Sequence, residues 1–215
     1  MLQAAARIFS APSEIPSLRS VRSNPLSSAR LKLEMAQMPA RLRYSYADYK
    51  SLPDDQRCEL LDGELIKMPS PSSRHQDVLR NLLVRLDGLV SDRALGEVYP
   101  APLDVVLGED VVQPDLLFIS KDRLGIVGKE EVQSAPDLVI EILSSSTAAR
   151  DKGYKRILYA RHGVQEYWLA DPPNGTIEIL LPKPEGFEGY RVFKKDQSLH
   201  SPFLAGFEIP LHEVF

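Results

Sequence analysis

Pro136-Asp137-Leu138-Val139-Ile140-Glu141-Ile142-Leu143 is apolar enough for a strand buried on both faces, yet it carries a carboxylate in its middle. Side chains alternate between faces along a strand, so Glu141 and Leu143 share one face while Ile142 points the other way. An ionised acid there costs several kcal/mol unless something compensates it. Upstream, Gln113-Pro114-Asp115 opens a second apolar run, Leu116-Leu117-Phe118-Ile119, and sets another acid at the mouth of another predicted strand. Two such acids suggest a shared cation. Carboxylates at the ends of adjacent strands can hold Mg²⁺, which prefers oxygen ligands, keeps several waters and is usually tied to protein through one or two acids plus substrate phosphate.

Outward from these runs the chain alternates elements in an α/β manner. Tyr46–Lys50 reads as a short helix and Cys58–Met68 as a hairpin turning at Asp62-Gly63, stopped by Pro69 and Pro71. Ser73 and Gln76 have the spacing of a capping box, after which Leu79, Leu82, Leu83, Leu86, Leu89 and Val90 recur at helical period. Gly96–Tyr99 and Leu103–Leu107 are predicted strands. Ser144–Thr147 supplies N-caps for a helix reaching about His162, with Gly163 as its stop. Strands follow at Val164–Leu169, Thr176–Leu180 and Tyr190–Phe193, and the stretch from Ser201 to Phe215 reads as irregular or short helix.

With 215 residues, 43% of them hydrophobic, the chain can bury the core of one domain plus extensions. No apolar stretch approaches the roughly 20 residues a membrane helix needs. Cys58 has no partner for an intrachain disulfide, which fits a reducing cytoplasm. Residues 1 to 44 hold seven Lys or Arg against Glu14 and Glu34, a balance of +5, so the remainder carries −9 of the overall −4. An acidic body argues against non-specific nucleic-acid affinity, which clustered Lys and Arg normally drive. Residues 1–43, rich in Ser, Ala, Arg and Pro, read as a basic disordered extension ahead of a domain over 44–215. Their few acids also resemble an organellar transit peptide, and Met35 or Met38 offers an alternative start.

A cation near the attacking water is often needed too, and the predicted helix after Glu141 offers Lys152 and Lys155. With Tyr154, Ile157 and Leu158 as its buried face, Lys155 lies roughly 110° from the centre of that face and Lys152 roughly 170°, at about 100° per residue. Lys155 therefore flanks the core while Lys152 faces solvent. Asp151 and Tyr159, four residues to either side, share the stripe of Lys155.

Gln113-Pro114-Asp115, Pro136-Asp137 through Ser144, Ser146-Thr147 through Asp151, Lys155 and Tyr159, and Glu166-Tyr167-Trp168, in that order, resemble the Uma-type restriction endonuclease family of the PD-(D/E)xK nuclease superfamily. The likeness covers roughly residues 44 to 215. It implies an α/β, restriction-endonuclease-like core, a mixed central sheet flanked by helices with extra hairpins, hydrolysing DNA phosphodiesters with Mg²⁺ or, in substitution, Mn²⁺. Asp115 matches the first metal acid and Glu141 the second, with the Ile142 carbonyl as a further ligand. Leu143 stands where the superfamily's usual lysine would be, which implies that the lysine has migrated to the following helix as Lys155. Glu59 matches an acid found upstream in many members, which implies binding of the metal through water, and His75 and Gln113 match groups that support the metal ligands or contact substrate. A homodimer is implied by the need to cut two strands, with no small organic cofactor.

Each residue has a plainer rival. Asp115 can simply begin a strand after Pro114, Glu141 can sit in a structural ion pair, and Lys155 can pair with Asp151 across one helical turn. Glu59 reads by itself as a solvated hairpin residue and His75 as a surface or hydrogen-bonded histidine. His162, His200 and His212 lack zinc spacing, Cys58 gathers no nucleophile pair, and Ser144–Ser146 caps a helix without a nucleophile elbow. The alternative from another class is a non-catalytic nucleic-acid-binding or assembly module that keeps the nuclease scaffold.

Overall fold

The computed structural model describes residues 43–53 and 56–215, and the basic N-terminal extension, Arg43 apart, lies outside them. The first helix, α1 (Tyr46–Lys50), is closed by a capping box in which Ser45 and Asp48 satisfy each other's backbone N–H. The hairpin β1 (Cys58–Leu61) and β2 (Glu64–Lys67) turns at Asp62 and Gly63. Both have positive φ, 47° and 73°, which a two-residue turn of this hand requires. Helix α2 (Ser73–Asp92) starts one residue earlier than the expected box: Ser72 is the N-cap, its hydroxyl accepting from His75 N. Val78, Leu82, Leu86 and Val90 form its buried stripe.

The strands after α2 are β3 (Gly96–Pro100), β4 (Asp104–Leu107), β5 (Asp110–Val112), β6 (Leu116–Ser120), β7 (Glu131–Val132), β8 (Leu138–Ile142), β9 (Glu166–Asp171), β10 (Thr176–Lys183), β11 (Gly186–Lys194), β12 (Ser198–His200) and β13 (Glu208–Pro210). A six-stranded mixed sheet has the order β11-β10-β9-β8-β6-β3, and a five-stranded one β2-β1-β5-β4-β7. β6 and β8 are antiparallel while β8 and β9 are parallel. Parallel neighbours need a crossover, and the segment after β8 supplies it. The stretch from Ser201, expected to be irregular or short helix, instead contributes β13, which pairs with β12 just ahead of it, before one 3₁₀ turn, Leu211–Glu213.

Both faces of β6 and β8 are covered, which is why their sequences run apolar without interruption. Leu116, Phe118, Leu138, Ile140 and Ile142 face α2 and the C-terminal segment. Leu117, Ile119, Val139 and Leu143 face the opposite way, onto Leu61, Val105, Val112 and the crossover. Glu141, by strand alternation, joins this second face.

At the start of β3 a Cβ on Gly96 would collide with the Ile119 carbonyl oxygen across the ladder. Gly96→Ala is expected to cost about 1–3 kcal/mol through this overpacking, read as a lowered urea midpoint with the slope unchanged.

Candidate active site

The antiparallel register sets Leu116 opposite Ile140, so Asp115, one residue before β6, comes beside the Glu141-Ile142 end of β8. Ile142 N donates to Asp115 Oδ2 at 2.8 Å, and His75 Nε2 lies 3.2 Å from the same oxygen. Asp115 Oδ1 has no donor among the described residues. Glu141, 4% exposed, accepts through Oε1 from Lys155 Nζ at 2.9 Å and from the Tyr159 hydroxyl at 2.7 Å. Its Oε2 likewise has no donor among the described residues.

The crossover is not one continuous helix. It consists of α3 (Ala148–Arg150), a π turn (Asp151–Lys155) and α4 (Arg156–Arg161). Wider π turns are rare and concentrate at functional sites. Here the turn carries Asp151 and Lys155 inward together, each 1% exposed, and the Tyr167 hydroxyl holds it by donating to the Asp151 carbonyl at 3.0 Å. Lys155 Nζ lies 2.7 Å from Glu59 Oε1, 2.9 Å from Glu141 Oε1 and 3.6 Å from Asp151 Oδ1.

Burial works against the Lys155 charge, but Glu141, Glu59 and Asp151 outweigh it and hold the amine well above the usual lysine range. It remains an ammonium at neutral pH. Burial raises the Glu141 carboxyl well above the ordinary range; the Lys155 ammonium opposes that shift, and Asp151, Asp115 and Glu59 add to it. Asp151 is raised by burial as well, again opposed by Lys155.

These groups open onto a cleft of about 470 Å³ whose wall includes Asp115, Glu141, Asp151, Lys155, Arg57 and Arg74. Four acids, Glu59, Asp115, Glu141 and Asp151, gather round Lys155 and Arg150, so acids outnumber cations while burial pushes Glu141 and Asp151 toward their protonated forms. Asp151 Oδ1 and Glu59 Oε2 are buried without hydrogen bonds among the described residues. Such a donor set fits a hard divalent ion carried by Asp115, Glu141 and the Ile142 main chain with waters completing its shell. Among the described residues no three His, Cys, Asp or Glu side chains stand close enough together to hold a metal ion by themselves, so an ion at Asp115 and Glu141 would have to complete its shell with main-chain, water or substrate oxygens.

The family described as "Uma2: Putative restriction endonuclease" matches residues 46–212, most of the chain. The chain belongs to the Uma2 family. An uncharacterized protein of Synechocystis sp. is 27% identical over 119 residues, covering 54% of this chain and 67% of that protein. A crystal structure described as a putative nuclease belonging to DUF820, from Anabaena variabilis, superposes with a TM-score of 0.68 at 22% identity, covering 80% of this chain and 97% of that one. The likeness carries the fold: a restriction-endonuclease-like arrangement of mixed sheets and helices.

Within this Uma2 fold Asp115, Glu141 and Lys155 come together with Ile142, and His75 joins them through Asp115. Glu59 departs from its solvated expectation. It is 0% exposed because β1 packs inside the five-stranded sheet and aims the acid at Lys155. Gln113 does not reach the cleft: its side chain donates to Asp104 Oδ1 at 2.8 Å and accepts from Arg57 at 3.3 Å. Tyr154 and Ile157, expected on the buried face of the crossover, are 36% and 61% exposed, while Lys155, Leu158 and Tyr159 are buried. The projection assumed one uniform helical twist, and the π turn breaks that phase.

Arg150, which the sequence did not single out, stands 3.8 Å from Glu59 Oε2; its relevance is invisible while Glu59 is read as solvated. Glu166 of the expected motif lies away from the cleft. It is buried and accepts from the Trp168 indole, the Ser201 hydroxyl at 3.0 Å and Phe203 N at 2.8 Å, which fastens the C-terminal segment to β9. The Ser144 and Thr147 hydroxyls bond each other at 3.1 Å and Ala148 N bonds the Ser144 carbonyl, an arrangement of helix initiation. No helix among the described residues is long and apolar enough to cross a membrane.

Proposed function

We propose that this protein is a Mg²⁺-dependent endonuclease that hydrolyses DNA phosphodiesters in the cytoplasm, acting as a homodimer when both strands are cut. The observation that carries this reading is the meeting of Asp115 and Glu141, each with an undonated oxygen, beside an ammonium fixed by hydrogen bonds. Bound Mg²⁺ would supply Lewis acidity and a water of lowered pKa. Asp115, oriented by Ile142 N and His75, and Glu141, oriented by Tyr159 and Lys155, would hold it. Lys155 serves as a fixed positive charge, since an amine held above its usual range is no proton acceptor at neutral pH. It orients the attacking water and offsets charge developing on the phosphate. Arg57 and Arg74, on the cleft wall, supply the sequence-independent attraction to backbone phosphates that the acidic body lacks.

Supercoiled plasmid incubated with Mg²⁺, Mn²⁺ or EDTA checks this. Nicked and linear products are expected with either metal and none with EDTA, and Glu141→Ala is expected to cut roughly a hundred- to a thousandfold more slowly. A parent that never cuts, or cuts equally in EDTA, overturns the enzymatic reading and favours a binding module on the same scaffold.

A further inference from the structure

Glu59 belongs to the five-stranded sheet and does not line the cleft, yet it makes the shortest contact to the Lys155 amine, 2.7 Å against 2.9 Å for Glu141. The same Oε1 accepts from Gln113 N at 3.0 Å, and Gln113 lies two residues before Asp115. Its other oxygen faces Arg150 Nε at 3.8 Å. One fully buried side chain therefore fixes the amine of the crossover and the segment that delivers the first acid. It draws these contacts from a sheet that contributes no other acid to the cluster.

We infer that Glu59 is a positioning residue acting through Lys155, holding the ammonium against Glu141 from behind, and is not a ligand of the metal ion. The inference rests on the endonuclease reading. A ligand needs a lone pair turned toward the ion, whereas Glu59 Oε1 is taken by Lys155 and Gln113, and Oε2, though it accepts no hydrogen bond among the described residues, lies 3.8 Å from Arg150 Nε on a side chain that is not part of the cleft wall. Without Glu59 the long lysine side chain keeps Glu141 as its near partner but loses the contact that sets its direction, so the turnover step suffers while DNA and metal binding do not.

The test compares the parent with Glu59→Gln, Lys155→Met and the pair Glu59→Gln/Lys155→Met, measuring plasmid cleavage and Mn²⁺ affinity by calorimetry, with Asp115→Asn as the metal-binding control. Glu59→Gln is expected to lower kcat roughly 10- to 100-fold, as lost outer support of a site commonly does, with KM for DNA and Mn²⁺ affinity within twofold of the parent. The pair is expected to cleave no more slowly than Lys155→Met alone. Because both charges leave together, the pair also guards against a single variant that fails to fold. A drop in Mn²⁺ affinity matching that of Asp115→Asn makes Glu59 a ligand and overturns the inference. A pair markedly slower than Lys155→Met overturns it as well, since Glu59 would then act independently. Absence of parental cleavage defeats the endonuclease reading alone; the positioning claim is then decided by Mn²⁺ affinity, with an unchanged value in Glu59→Gln supporting it and a lowered one refuting it.

Discussion

Lys155→Met is expected to lower stability at pH 7 by about 3–5 kcal/mol, because it removes the cation from among the almost fully buried Glu59, Glu141 and Asp151. Methionine keeps the volume, so little of the loss is cavity formation. The pH dependence follows from the acids left behind. Glu141 and Asp151 already have folded pKa values raised by burial. Stability contributed by a group raised in this way is fully present below its unfolded value and is lost as pH rises through the folded one. Removing the ammonium raises both acids further, so the deficit should shrink toward pH 4 and widen toward neutrality. Millimolar Mg²⁺ should return part of it at pH 7, since an added cation that binds only the folded state stabilises it. Urea midpoints at several pH values, with and without Mg²⁺, measure all three effects. A variant as stable as the parent at pH 7 would mean that Lys155 does not balance the acids.

Asp115→Asn is expected to have the opposite signature, with function lost and the fold kept. The amide retains an oxygen to accept from Ile142 N, and losing one negative charge relieves repulsion with Glu141. Thermal stability without metal should therefore hold or rise slightly. Metal affinity should fall at least tenfold, and plasmid cleavage on the order of a hundred- to a thousandfold, the scale for losing one preorganised charge-stabilising group. The diagnostic is the metal-induced rise in Tm. Mg²⁺ or Mn²⁺ should raise the parent's Tm and leave that of Asp115→Asn almost unmoved. Equal metal-induced shifts in both proteins would remove Asp115 from the metal-binding set.

The elements differ in how plainly the amino-acid order announces them. The α2 stripe, the Asp62-Gly63 turn and the runs of β6 and β8 are local patterns, fixed by periodicity and turn chemistry over a few residues. Short strands escape such reading: β5, β7, β12 and β13 hold two or three residues each and exist only because a neighbour completes their ladders. The crossover misleads for a different reason. Its Tyr154 and Ile157 look like core residues, yet Ile157 is exposed and the Tyr154 hydroxyl bonds Asp110 at 3.0 Å, while charged Asp151 and Lys155 go inside. A lysine enters the interior only where acids meet it, and those acids come from β1 and β8.

The chain by itself determined that a carboxylate would be trapped in an apolar strand, that a second acid would open another such strand, and that a lysine four residues beyond Asp151 could serve them. Those statements follow from alternation and desolvation, which act within one segment. The tertiary structure alone decided that Asp115 meets the end of β8 beside Glu141, that a π turn brings Lys155 to them, and that Glu59 crosses from another sheet to hold it there. Such choices depend on strand register and on charge compensation between segments far apart in sequence, and no local pattern encodes either.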